Sequence, residues 1–91
     1  VQWVKWKESA LYDLAEIIDY IEQYNPAASS KLHHQIVHVT ENLPQHPYLY
    51  RPGRVPGTRE IVVHPNYLVI YHISELQIEI LRVLHARQEY P

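Results

Sequence analysis

Two amphipathic stripes meet at Asn25-Pro26, and that junction leaves few folds open. Before it, Leu11, Leu14, Ile18 and Ile21 recur at helical spacing. Ala15 and Ile17 widen this stripe, and Asp13, Glu16, Asp19 and Glu22 line the opposite, solvated side. After it, Leu32, Ile36, Val39 and Leu43 form a second stripe that Pro44 ends. Asn is a favoured N-cap, and Pro at the first helical position lacks only an N–H that would have no helical partner. Ser9 is the expected cap of the first helix. So short a break predicts an antiparallel helical hairpin over about residues 9–43. Each helix has one apolar face, so the hairpin needs a second layer to cover it.

The rest of the chain supplies strands. Val1 to Lys7 alternates, with Gln2, Val4 and Trp6 on one face and Val1, Trp3, Lys5 and Lys7 on the other. Trp3 and Trp6 therefore diverge, one toward the core and one available to anchor a partner. Residues 44–57 hold Pro44, Pro47, Pro52 and Pro56 with Gly53 and Gly57. They read as an ordered loop that Tyr48, Leu49 and Tyr50 can anchor. Thr58 to His64 is a strand, Pro65-Asn66 its turn, and Tyr67 to Ile73 the next strand, with Tyr67, Val69, Tyr71 and Ile73 on one face. Ser74-Glu75-Leu76 turns again. Gln77 to His85 is apolar on both faces, as suits an internal strand, and Ala86 to Pro91 is a tail. The order predicts an α+β fold, β-α-α-β-β-β, with the helical hairpin packed on an antiparallel sheet. Leu14, Ile18, Ile21, Leu32, Ile36 and Val39 form its core, and residues 1–91 make one domain.

Composition excludes several functions. The net charge is −2. Residues 1–45 carry three Lys against six acids, and residues 46–91 five Arg against four acids. That is not the balance of a protein that grips nucleic acid by phosphate neutralisation alone. No cysteine is present, so disulfide and thiolate chemistry are excluded, which fits a reducing cytoplasm. No apolar run approaches the roughly 18 residues of a membrane span, and the alternating start does not read as a signal peptide.

Among candidate chemical groups, His34 and His38 share one helix face. Gln35 stands where a zincin pattern needs Glu, and no third ligand is evident, so neither metal nor other cofactor is expected. Arg51, Arg54 and Arg59 lie in an acid-free stretch, and Arg82 and Arg87 flank His85, with Tyr90 beyond. His can move a proton near neutral pH, Arg can stabilise phosphorane-like charge, and Tyr can stack on a base. Such a set can cleave RNA through its own 2′-hydroxyl. The alternative is that Arg59 and Arg82 pair with Glu60 or Glu79 across the sheet while His85 ends its strand in a satisfied hydrogen bond. Strand alternation also puts Arg82 and His85 on opposite faces, which weakens a shared site.

Several segments together resemble the RelE/ParE superfamily of toxins. Arg54-Val55-Pro56-Gly57-Thr58-Arg59-Glu60-Ile61-Val62-Val63 is similar to its loop and strand, and Asn66-Tyr67-Leu68-Val69-Ile70-Tyr71 to its central hairpin. Ile80-Leu81-Arg82-Val83-Leu84-His85-Ala86-Arg87 is similar to its final strand. The likeness extends through His46-Pro47-Tyr48-Leu49-Tyr50, Trp6-Lys7-Glu8-Ser9-Ala10 and Asn25-Pro26-Ala27-Ala28. It implies the same β-α-α-β-β-β fold and a type II toxin held inactive by a cognate antitoxin. That antitoxin would carry the DNA-binding domain, so the toxin meets operator DNA only through it. The superfamily splits into RelE-like members, which cleave mRNA on the ribosome, and ParE-like members, which poison DNA gyrase without nuclease chemistry.

Departures from the RelE-like pattern favour the ParE-like side. RelE-like members carry a basic residue directly after the hairpin tyrosine, where this chain has Leu68. They alternate basic residues on the preceding strand, where Arg59 is matched but Ile61 is not. Arg87 and Tyr90 match an arginine near the final strand's end and a C-terminal tyrosine. The resemblance thus implies a gyrase inhibitor whose target-binding residues are Arg54, Arg59, Arg82, His85, Arg87 and Tyr90. In the ribonuclease alternative, Arg59, Arg82, His85, Arg87 and Tyr90 become catalytic. A further alternative is a degenerate toxin that acts only as an antitoxin-binding co-repressor.

Overall fold

The N-terminal strand, β1 (Trp3–Trp6), leads into two helices, α1 (Glu8–Glu22) and α2 (Pro26–Glu41), in a computed structural model that describes residues 3–88. A 3₁₀ turn (Leu43–Gln45) and the short strand β2 (Arg51–Pro52) follow. The three strands β3 (Thr58–His64), β4 (Tyr67–Ile73) and β5 (Gln77–His85) have the bounds expected from sequence. The sheet order is β1-β5-β4-β3-β2. β5 is internal, as its two apolar faces require. The sheet is mixed rather than wholly antiparallel, because β1 runs parallel to β5, and it gains the short edge strand β2.

The helical hairpin covers one face of the sheet. Leu14, Leu32 and Ile36 are buried against Ile61, Val69, Tyr71, Ile78, Ile80 and Val83, and Ile18, Ile21 and Val39 pack beside them. Burying each such side chain contributes roughly 1.5–3 kcal/mol. Trp6 packs on this core and Trp3 is exposed, so the two tryptophans diverge as alternation predicts. Leu11 departs from its stripe and is exposed. Asn25 caps α2, its Oδ1 accepting from the Ala28 N–H at 3.1 Å. Across the hairpin, the Ser29 hydroxyl donates to the Ile18 carbonyl at 2.9 Å.

The start of α1 differs from expectation in an informative way. Lys7, not Ser9, is its N-cap. β1 pairs with β5 only as far as Ile80, and α1 completes the outer edge of β5 with side chains. Lys7 N–H donates to the Ile80 carbonyl at 3.0 Å, and the Ser9 hydroxyl to the Leu81 carbonyl at 2.8 Å. One turn on, the Asp13 carboxylate accepts the Val83 N–H at 3.0 Å. Ser9 and Asp13, four apart on one helix face, thereby satisfy strand groups that would otherwise form an open edge.

β5 shifts register against β4 between Ile80 and Arg82, leaving Leu81 as the extra residue of a bulge. The shift explains why Ile78, Ile80 and Val83 all face the helices. On the other face, Leu68, Ile70 and Leu84 form a second buried cluster with Leu81 and Ala86 against it. Gly57 sits at φ +85° in the turn before β3, where an L side chain is strained. Gly57→Ala is therefore expected to lower stability by about 1–2 kcal/mol, while Gly57→Asn costs less; equal melting temperatures for all three proteins would contradict the turn geometry.

Candidate functional site

β3 and β5 carry Arg59 and His85 to different places. Arg59 stands opposite Tyr71, and His85 opposite Tyr67. Three residues of β4 lie between those tyrosines, which stand roughly 13 Å apart along the strand.

Arg59 is committed to the proline-rich loop. Its guanidinium donates to the Tyr50 carbonyl at 2.7 Å and the Tyr48 carbonyl at 3.3 Å, and lies over the Tyr48 ring at 5.0 Å. Tyr71, fully buried, donates its hydroxyl to the Pro47 carbonyl at 2.6 Å and meets Tyr50 edge-on at 6.5 Å. Burial pushes the Tyr71 phenol up to about 12, the Arg59 charge opposing this. Together the two residues clasp residues 47–50 to the sheet and leave Tyr48 and Leu49 exposed at its tip.

Arg82 is held elsewhere. Its Nε and Nη2 donate to Asp13 at 2.6 and 3.0 Å, a bidentate pair with the carboxylate nearly buried. The hydrogen bond to Asp13 is the main cause that holds the Arg82 guanidinium above its ordinary range, burial working against it. Asp13 is therefore not part of a merely solvated acidic face, and Arg82 pairs across to α1 rather than along the sheet with Glu79. Arg51, not Arg59, takes Glu60, at 2.5 Å.

His85 closes its strand. Its Nδ1 accepts the Arg87 N–H at 3.1 Å, its own N–H donates to Gln88 Oε1 at 2.8 Å, and its ring meets Tyr67 edge-on at 5.5 Å. His64 repeats the motif, with Nδ1 accepting the Asn66 N–H at 3.1 Å and its ring 5.8 Å from Tyr67. In both, the lone pair lies on Nδ1 and is occupied, so the neutral ring carries its proton on Nε2 and is a donor there. Arg54 donates to the Gln88 carbonyl at 3.2 Å, which joins the loop before β3 to the segment after β5. The Arg87 residue is exposed beside His85. Tyr90 lies outside the described residues. Of the six expected positions, His85, Arg87 and Arg54 thus gather around the end of β5, and Arg59 and Arg82 stand apart.

Ile61 and Leu68, read from sequence as missing basic residues, are core residues, 2% and 3% exposed. A cation at either position would be desolvated. Sequence reasoning passed over a cleft of about 430 Å³ between the hairpin and the β3–β4 turn, lined by Lys31, Gln35, His64, Asn66 and Tyr67 among others. Its residues come from distant parts of the chain, and no local motif announces them. His34 and His38 lie on the exposed face of α2, and among the described residues no three metal-ligating side chains come together. No described helix is long and apolar enough to cross a membrane.

Residues 4–90 match a family model described as the ParE toxin of the type II toxin–antitoxin system parDE. The protein Y4kP of Sinorhizobium fredii is 38% identical over 97% of this chain and 92% of its own length. Toxin RelE2 of Caulobacter vibrioides is 33% identical over 91% and 93%. Among solved structures, one of the chromosomal ParDE toxin–antitoxin system from P. aeruginosa superposes with a TM-score of 0.82. It is 26% identical and covers 92% of this chain and 95% of that one. The E. coli DinJ–YafQ complex superposes at 0.66 with 12% identity, covering 93% of each chain, and supports the fold alone.

Proposed function

The chain belongs to the ParE toxin family of type II toxin–antitoxin systems, and on that premise we propose that it stops growth by docking on DNA gyrase rather than by cutting RNA. The observation that carries this reading is the state of His85. Its one lone pair is engaged by the Arg87 N–H, so it offers a donor, not a base, to anything that approaches Nε2. Arg82 is neutralised by Asp13, Arg59 is spent on loop carbonyls, and Ile61 and Leu68 are core. What remains near the end of β5 is suited to binding: aromatic rings, an exposed Arg87 and the Arg54 bridge.

The partner that restrains it is an antitoxin segment, laid as a helix in a groove or as an added strand. β2 pairs only with Arg59 and Glu60, so among the described residues no strand lies beside the outer edge of β3 from Ile61 onward, and Val62 is exposed there. The ribonuclease reading keeps one supporting feature, the meeting of Tyr67, His85 and Arg87 at one end of the sheet.

The test is induction of the protein followed by parallel assays of gyrase supercoiling, gyrase cleavage complexes and ribosome-dependent mRNA cutting. The expected result is gyrase inhibition that His85→Ala leaves within about threefold, since removing a true general base costs roughly 10²–10⁴-fold. Ribosome-dependent fragments that vanish with His85→Ala, with gyrase unaffected, would overturn the proposal. Induction with no growth arrest at all would leave the co-repressor reading.

A further inference from the structure

The cleft beside the β3–β4 turn has walls of two kinds. Ile21, Leu32 and the Tyr67 ring form an apolar side. Lys31, Gln35, His64 and Asn66 bring donors to the other, and among the described residues no Asp or Glu lines it. In a chain of net charge −2 whose α1 exposes Glu16, Asp19 and Glu22, that exclusion is notable. Lys31 makes no ion pair among the described residues. His64 is fixed as an Nε2 donor, because its Nδ1 already accepts from Asn66. Tyr67 is pushed up, first by burial and then by Tyr20, so its phenol stays protonated at neutral pH. Tyr20 and Tyr24, exposed and 5.3 Å apart, continue the apolar rim along α1.

We infer that this cleft takes a carboxylate side chain and its apolar neighbour from one helical turn of the antitoxin. The volume of about 430 Å³ suits one or two side chains rather than a large ligand. The lining asks for a negative group against Lys31 and His64 with an apolar group against Ile21, Leu32 and Tyr67. A Glu and a Leu at i, i+4 present that pair on one face. The antitoxin as occupant rests on the proposed function, whereas the chemistry of the cleft does not.

Two measurements separate those claims. The first titrates the full chain with an alanine-based helical peptide bearing Leu and Glu four residues apart, against the same peptide with Gln for Glu. NMR shifts of the Gln35 and Asn66 side-chain amides report occupancy. The Glu peptide is expected to move them and the Gln peptide not, and Lys31→Glu abolishes the response. Equal responses to both peptides, or none at millimolar concentration, overturn the cleft chemistry. The second measures the Kd for the purified product of the neighbouring gene. Lys31→Glu is expected to weaken it about 10–100-fold through like-charge contact, and His64→Leu about 5–10-fold through one lost donor. Lys31→Arg and His64→Gln, which keep a donor, stay within about threefold. Tight binding indifferent to Lys31→Glu overturns the cleft as the docking point and leaves the toxin–antitoxin reading intact. A peptide response without any binding of the neighbouring product overturns the antitoxin as occupant. A dimer of this chain that Lys31→Glu disperses does the same, in favour of a second copy.

Discussion

Asp13→Ala is expected to destabilise the protein by about 2–4 kcal/mol, seen as a fall in the urea midpoint at unchanged slope. The Asp13 carboxylate accepts Arg82 Nε, Arg82 Nη2 and the Val83 N–H. Truncation strands a guanidinium and a strand N–H on the side of β5 that β1 does not reach, β4 pairing along the other side. The Arg82 side chain is 41% exposed and can recover water, which keeps the cost below that of a fully buried pair. Asp13→Asn retains an acceptor for Val83 and is expected to cost about half as much. A loss under about 0.5 kcal/mol for Asp13→Ala would mean the pair behaves as an ordinary surface ion pair. Because α1 is tied to β5 here, the same variant is expected to loosen the end of the sheet that carries His85, raising amide exchange at Val83 before global unfolding.

The strands and the hairpin were legible because each carries its own period. Alternation fixed Thr58 to His64 and Tyr67 to Ile73, and Asn25-Pro26 with its cap fixed the restart of the second helix. What periodicity does not encode is which edge meets which. The parallel seating of β1 beside β5, and the use of Ser9 and Asp13 as strand substitutes, depend on contacts across about 70 residues of chain. A Ser just before an apolar stripe has the local signature of a cap, and only the tertiary partner, the Leu81 carbonyl, decides otherwise. The bulge at Leu81 was hidden for a related reason. Gln77 to His85 is apolar on both faces, so either phase of the alternation buries something.

The functional residues were harder to read. The sequence clusters arginines, but charge adjacency says nothing about where a guanidinium is spent. Asp13 takes Arg82, loop carbonyls take Arg59, and the Gln88 carbonyl receives Arg54. The i, i+2 bond from a backbone N–H to Nδ1, shared by His64 and His85, is likewise invisible without coordinates, yet it decides whether each ring is a base or a donor. The two positions that pointed away from nuclease chemistry, Ile61 and Leu68, were legible, because a missing charge can be seen in sequence even when a neutralised one cannot.

Tyr71→Ala is expected to remove about 3–5 kcal/mol, enough to unfold much of a domain this small. The ring is fully buried between the hairpin and the loop, and its hydroxyl holds Pro47. Tyr71→Phe separates the two contributions: packing stays, and the unpaired Pro47 carbonyl costs about 1–1.5 kcal/mol. The hydroxyl also sets an alkaline limit. Tyr71 titrates near the usual 10 when unfolded and at about 12 when folded, so between those values the folded state holds the extra proton. Stability is therefore fully present below about pH 10 and falls by roughly 1.4 kcal/mol per unit as pH rises toward 12. Tyr71→Phe is expected to flatten most of that limb, with Tyr12 and Tyr67, also raised, keeping a remainder. Urea midpoints measured from pH 8 to 11.5 on both proteins decide it, and parallel curves would refute a buried, hydrogen-bonded phenol. Since Tyr71 and Arg59 hold the same loop from neighbouring strands, the Phe variant is also expected to loosen the loop at Tyr48 and Leu49. If those exposed side chains touch the target, Tyr71→Phe is also expected to weaken target binding.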